Sequence, residues 1–228
     1  MTSTDDMKRI AARAALDELP RDGVIGLGTG STVAFFLEVL AEATAAGRAL
    51  VGVPSSEQTR RRALAAGIPL LDDEGPWSIA VTVDGADEVD PSLDLIKGGG
   101  GALAREKIVS AASAKNVIIV DEGKRSPRLG TTCPIPIEVL GFGHHATRVL
   151  LERHGTATLR VRDGAPVPTD GGNVIYDLAV APIAHPGALE ARLSAIPGVV
   201  ETGLFVARAD VVLVGSRRGL ARLVRAPR

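Results

Sequence analysis

The run Val24-Ile25-Gly26-Leu27 passes into Gly28-Thr29-Gly30-Ser31-Thr32, and Val33 to Ala46 then carries apolar residues at helical spacing. A strand, a loop of glycines and hydroxyls, and a helix in that order commit the chain to an α/β architecture whose loop can cradle an anion. The form of the loop narrows the ligand. A dinucleotide fingerprint asks for G-x-G-x-x-G with an acidic residue about 20 positions on. Here Ser31 stands where the third glycine belongs, and the next apolar run, Ala49 to Val53, ends in Pro54-Ser55-Ser56. No lysine follows in the G-x-x-x-x-G-K-[ST] arrangement of a nucleotide P-loop. What remains is one phosphate group, held by backbone N–H groups around Gly30 and by the hydroxyls of Thr29, Ser31 and Thr32.

The stretch DGADEVDPSLDLIKGGGGALAREK, Asp84 to Lys107, follows the apolar run Ile79 to Val83, so Asp84 and Asp87 are expected at or just past the C-terminal end of a buried strand. That edge is where open α/β sheets hold their ligands. Gly98, Gly99, Gly100 and Gly101 let bare amides approach a ligand, and Ala102 onward is a good helix former. Glu106, about one turn into that helix, is placed to act as a general base, with Lys97 beside the glycine run. Lys124 follows another apolar run, Val117 to Val120, on the same edge, and Lys8 lies on an amphipathic first helix over residues 5–19.

The order of elements predicts a doubly wound, mostly parallel, Rossmann-like sheet. It includes helices over residues 56–66 and 102–113, a short strand over Ile68 to Leu71, and a last strand over Val211 to Val214 followed by a C-terminal helix. From Thr131 the texture changes, and strands and helices in β-α-β-β-α-β order predict an inserted, smaller α+β ferredoxin-like domain. The expected boundaries are residues 1–130 plus 207–228 for the catalytic domain and 131–206 for the insert. His144, His145 and His154 suggest no metal, because adjacent helical residues point apart and no carboxylate-rich motif accompanies them. The Arg-rich tail reads as solvated.

Over 228 residues, a hydrophobic content of 45 % with a net charge of −1 argues against a general nucleic-acid surface, and aromatics at 3 % are too few for a base-stacking platform. No apolar run approaches the roughly 18 residues of a membrane span. One cysteine, Cys133, excludes an internal disulfide, and the charged N-terminus lacks the apolar core of a signal peptide. The expected setting is the cytoplasm and the expected partner a small phosphorylated molecule.

GLGTGSTV at 26–33, SSEQT at 55–59, DGADEVD at 84–90, KGGGGALAREKIV at 97–109, the Asp-Glu-Gly-Lys turn at 121–124, TDGGNVIYD at 169–177 and IPGVVETGLF at 196–205 together resemble the type A ribose-5-phosphate isomerases. The resemblance implies cofactor-free interconversion of D-ribose 5-phosphate and D-ribulose 5-phosphate, in the non-oxidative pentose phosphate pathway, by a homodimer or homotetramer. It implies Glu106 as the proton-transferring base. It also implies substrate contacts from Thr29, Gly30, Ser31 and Thr32, from Asp84, Gly85, Ala86 and Asp87, from Lys97, Gly98, Gly99 and Gly100, and from Lys124. Gly101 departs from the alanine of many members, and Glu122-Gly123 from their small residues. A sugar-phosphate sensor would normally bring a helix-turn-helix, for which no segment is spare. An acyl-CoA transferase would need room for CoA, for which no feature is evident.

Overall fold

The computed structural model describes residues 2–72 and 76–226, which divide into two compact units. The first comprises residues 1–86, 105–124 and 208–228. Its six-stranded sheet runs Gly219–Val224, Val211–Ser216, Asn116–Asp121, Ile79–Asp84, Asp22–Leu27, Ala49–Pro54 across its width. All neighbours are parallel except the last hairpin, whose two strands are antiparallel. The strands are apolar because helices cover the sheet. Ile25, Leu27, Val83, Ile119 and Leu213 pack with Phe36 and Leu40 of the helix Ser31–Ala45 and with Ala11 and Ala12 of the helix Thr4–Ala14. Each fully buried side chain of this size contributes roughly 1.5–3 kcal/mol.

The helix Thr4–Ala14 opens on a capping box between Ser3 and Asp6 and tightens into a 3-10 turn, Ala15–Glu18, before Pro20. It lies close on the sheet: a Cβ on Gly215 would sit 1.8 Å from the Met7 carbonyl oxygen, so only glycine fits there. Glu18 then binds both Lys115 (2.6 Å) and Arg222 (2.6 Å). The Arg222 hydrogen bond, with help from Lys115, outweighs the effect of burial and holds the Glu18 carboxyl at about 2.

Three expectations for this unit are corrected. The chain ends in the strand Gly219–Val224, not a helix. Its residues alternate between half-buried and exposed, and a two-residue turn pairs Ser216 with Gly219, so period-two burial overrides the helix-forming composition. The segment Ile68 to Leu71 makes one bridge, Leu70 to Gly52, because Pro69 has no N–H to extend a ladder. The Arg-rich tail is not simply solvated, since Arg222 binds Glu18 and Arg225 donates to the Ala209 carbonyl (2.9 Å). Pro227 and Arg228 of that tail lie outside the described residues.

The second unit comprises residues 87–104 and 125–207. Its strands Ile135–Val139, Thr156–Leu159, Val174–Ala179 and Val199–Thr202, with the helices His144–Leu151 and Pro186–Ser194, follow the β-α-β-β-α-β order. The sheet is antiparallel, with the fourth strand beside the first and the third between the first and the second. Ile137, Tyr176, Leu178, Leu151 and Leu193 form its core. The extended run from Val199 to Phe205 is split at Gly203. Thr202 pairs with Ile137, whereas Leu204 pairs with Ile96 in a separate three-stranded sheet.

That small sheet, Glu88–Val89, Leu95–Ile96 and Leu204–Phe205, is why residues 87–104 group here rather than with the first unit, as the expected boundaries had them. Glu88 strengthens the join. Fully buried, it accepts the amides of Gly130 (2.9 Å), Thr131 (3.1 Å) and Thr132 (3.2 Å). Burial alone would raise its pKa, but hydrogen bonds from Ser126, the loop amides and Cys133 hold it below the usual carboxylate range. The His144 and His145 rings do not point apart: their centroids are 4.0 Å from each other, and His144 Nδ1 meets the Tyr176 hydroxyl at 2.8 Å. The helix starts at His144 on a left-handed Gly143, so these are its first residues and not interior ones.

Candidate active site

Reading the five parallel strands of the first unit in chain order, the sheet runs second, first, third, fourth, fifth, and the direction of winding reverses between Asp22–Leu27 and Ile79–Asp84. Ligands of open α/β sheets bind outside the C-terminal ends of the strands at such a reversal. The two chains leaving that point are Gly28-Thr29-Gly30 and Asp84-Gly85-Ala86, and they are bonded to each other. Asp84 Oδ1 accepts the Thr29 amide (3.0 Å) and the Gly85 amide (2.7 Å), and the residue is only 3 % exposed. The approach requires glycine before Thr29, since a Cβ on Gly28 would lie 2.1 Å from Asp84 Oδ1.

The hydroxyl of Thr29 turns inward. It lies within hydrogen-bond distance of Ser55 (2.9 Å), Ser56 (2.8 Å) and Thr59 (3.2 Å), while Thr59 donates to the Gly28 carbonyl (2.7 Å). Ser56 also caps the helix Glu57–Ala65. Four buried hydroxyls therefore brace the loop from behind. Sequence reasoning read Thr29 as a ligand contact and gave Ser55, Ser56 and Thr59 no task. The signal available was the Ser-x-x-Thr pattern of an N-cap after a strand.

Gly30, at φ 123°, is the N-cap of the helix Ser31–Ala45, which has no capping side-chain bond and no acidic residue in its first turn. Ser31 is exposed and Thr32 buried within that turn. Such a helix start favours negative charge through its unpaired amides and dipole. Lys124 is half-buried at the end of a 3-10 turn directly after Asn116–Asp121, the strand beside Ile79–Asp84. Lys8 follows Met7, which packs at Gly215 near the C-terminal end of Val211–Ser216, and its ammonium is 3.6 Å from Asp5. Both cations thus belong to the same edge as the loop.

Glu106 sits in the first turn of the helix Leu103–Ala111 and is 4 % exposed. Ser113, just beyond this helix, bridges Ile79 at the start of a strand, and Val109 packs against Gly26 near the end of the neighbouring strand. The helix therefore runs against the strands, and its first turn, with Glu106, lies toward their C-terminal edge.

In the second unit, Asp87 takes the Gly99 amide at 2.7 Å, and its own amide donates to the Ile96 carbonyl (2.8 Å). Lys97 is 3 % exposed, with its amide on the Gly203 carbonyl (2.9 Å) and its ammonium 5.4 Å from the Phe205 ring centre. Gly98 is buried, whereas Gly99 and Gly100 are exposed. Within this unit Asp87 is therefore tied by its side chain to the segment Lys97, Gly98, Gly99 and Gly100. Among the described residues no cluster of three or more His, Cys, Asp or Glu side chains could hold a metal ion, and no helix is long and apolar enough to cross a membrane.

The sequence profile of ribose 5-phosphate isomerase A (phosphoriboisomerase A) matches residues 51–219. The ribose-5-phosphate isomerase A of Gloeobacter violaceus is 50 % identical over 219 residues, covering 95 % of each chain. A solved D-ribose-5-phosphate isomerase in complex with phospho-erythronic acid superposes with a TM-score of 0.94 at 42 % identity, covering 98 % of this chain and 100 % of that one. The ribose 5-phosphate isomerase A of Methanocaldococcus jannaschii gives 0.91 at 38 % identity, covering 97 % and 100 %. With a buried carboxylate and an uncapped helix start on one sheet edge, and relatives matched over nearly their whole length, the chain belongs to the ribose 5-phosphate isomerase A family of aldose–ketose isomerases.

Proposed function

We propose that the protein interconverts D-ribose 5-phosphate and D-ribulose 5-phosphate through a cis-enediolate, without a cofactor, and that Glu106 is the general base. The observation that carries this reading is a glutamate, 4 % exposed, in the first turn of a helix on the ligand edge. Glu106 takes the proton from C2 of the open-chain aldose. The electron pair becomes a C1–C2 double bond and the negative charge collects on O1. Transfer of the O2 proton to O1 and return of the carbon proton to C1 leave the carbonyl at C2. One base serving two adjacent carbons suffices.

In this reading the helix start at Ser31 and Thr32, with Gly30, binds the phosphate, aided by Lys124 and Lys8. Lys97 and the glycine run stabilise the enediolate, the kind of preorganised charge stabilisation that contributes most in enzymes. Asp84 and Asp87 move hydroxyl protons and open the furanose ring, with Gly85 and Ala86 lining the sugar. Thr29 acts through its amide and its hydroxyl brace. The reaction belongs to the non-oxidative pentose phosphate pathway, in the cytoplasm, and the working form is a homodimer or homotetramer.

The test is conversion of ribose 5-phosphate to ketopentose in excess chelator, with Glu106→Gln beside the parent. The variant should lose about 10²–10⁴-fold in kcat with little change in substrate affinity. Near-parental turnover in the variant would remove Glu106 from the chemistry, and a requirement for added metal would remove the cofactor-free reading.

A further inference from the structure

Arg160 of the second unit lies at the end of the strand Thr156–Leu159, with its amide on the Ile175 carbonyl (2.8 Å). Asp177, on Val174–Ala179, grips its guanidinium at two points, Nε to Oδ2 (3.0 Å) and NH2 to Oδ1 (2.5 Å). The remaining nitrogen, NH1, reaches back to the glycine run and donates to the Gly98 carbonyl (2.9 Å) and the Gly99 carbonyl (3.2 Å). The Arg160 side chain is 19 % exposed and that of Asp177 26 %, so the pair is partly shielded from water. A planar fork anchored by one carboxylate and aimed at two successive carbonyls fixes orientation as a lysine could not.

The peptide between Gly98 and Gly99 is held at both ends, its carbonyl by Arg160 and its N–H by Asp87 (2.7 Å). The Gly101 amide is taken by the Gly98 carbonyl at 3.0 Å. In the next peptide Arg160 holds the Gly99 carbonyl. A trans peptide sets C=O and N–H on opposite sides, so the Gly100 N–H points away from the guanidinium, and Gly100 is exposed. Without such a clamp, consecutive glycines would sample many orientations.

We propose that Arg160, braced by Asp177, is a positioning residue that locks the glycine run so that the Gly100 amide is presented to the substrate oxygen that becomes negative. This rests on the isomerase reading above and deepens it by naming the donor and the residue that aims it. A cation behind two carbonyls also polarises their peptides, which strengthens the N–H groups as donors to an oxyanion.

The test compares Arg160→Met and Arg160→Lys with the parent in kcat and KM for ribose 5-phosphate, in calorimetric affinity for phospho-erythronic acid, and in the NMR resonance of the Gly100 amide. Arg160→Met should lower kcat by about 10–10³-fold, the scale of losing one oxyanion donor, with KM within about threefold. Affinity for phospho-erythronic acid should weaken by a similar factor, the Gly100 resonance should move, and Arg160→Lys should fall between the two. A folded variant that keeps kcat within about twofold, or that changes KM alone, overturns the proposal. Where Arg160→Met does not fold, Arg160→Lys decides by the same criteria. Absence of turnover in the parent would instead refute the isomerase reading, and the Gly100 resonance would still report whether the clamp exists.

Discussion

At the scale of single residues, the ligand edge depends on contacts that leave no room for change. Gly28 shows this most directly, since a Cβ there would also lie 2.6 Å from the Asp84 Cα, which is backbone and cannot swing aside. Gly28→Ala should therefore separate the two loops, break the Thr29-to-Asp84 bond and lower unfolding free energy by about 2–4 kcal/mol. Denaturant unfolding measures this directly, and a parental midpoint would mean that the loops yield without cost. Thr29 has the opposite character. Its hydroxyl sits among those of Ser55, Ser56 and Thr59 and its amide is taken by Asp84, so Thr29 serves the rigidity of the loop, and the uncapped helix start at Ser31 is left for a ligand.

At the scale of elements, the helix Ser31–Ala45 begins with no capping side chain and no acid in its first turn, an arrangement that leaves helix stability unclaimed. Ser31→Asp should raise the melting temperature slightly, because a carboxylate at a helix start contributes about 0.3–1 kcal/mol. The same change should raise KM for ribose 5-phosphate at least about tenfold by repelling a dianion. Calorimetric titration with inorganic phosphate separates the effects, and unchanged phosphate affinity would place the anion elsewhere. Elements of this kind were legible in the sequence because a strand, a glycine loop and a long apolar helix are local patterns. Less legible were features decided by distant partners. Leu204 could not be read as leaving the run from Val199 until Ile96 was known to be its neighbour, and Gly219–Val224 is a strand only because Val211–Ser216 offers it an edge. Within the candidate site, Asp84 and Glu106 stood out by chemistry and placement. Ser55 and Thr59 did not, since a buried hydroxyl and a surface one look alike in sequence.

At the scale of the whole molecule, the beginning and the end of the chain are joined through Glu18. Its carboxyl is held at about 2 in the fold against an ordinary value of 4.5, so it stabilises the folded state fully above 4.5, and that contribution fades as pH falls toward 2. Glu18→Gln should lower the melting temperature at pH 7 by roughly 2–4 °C. The difference from the parent should shrink steadily between pH 4.5 and about 2. A pH-independent difference in thermal scans would assign the loss to packing instead of charge. The discontinuity of the first unit has a further consequence, for synthesis. Asn116–Asp121 must wait for Val211–Ser216, and Asn116 meets Asp210, 94 positions further along the chain. A ribosome therefore releases four adjacent parallel strands with one apolar flank still open while most of the second unit is being made. The first unit can close only once Val211–Ser216 has been made, and a chain truncated before Val211 should be retained by chaperones.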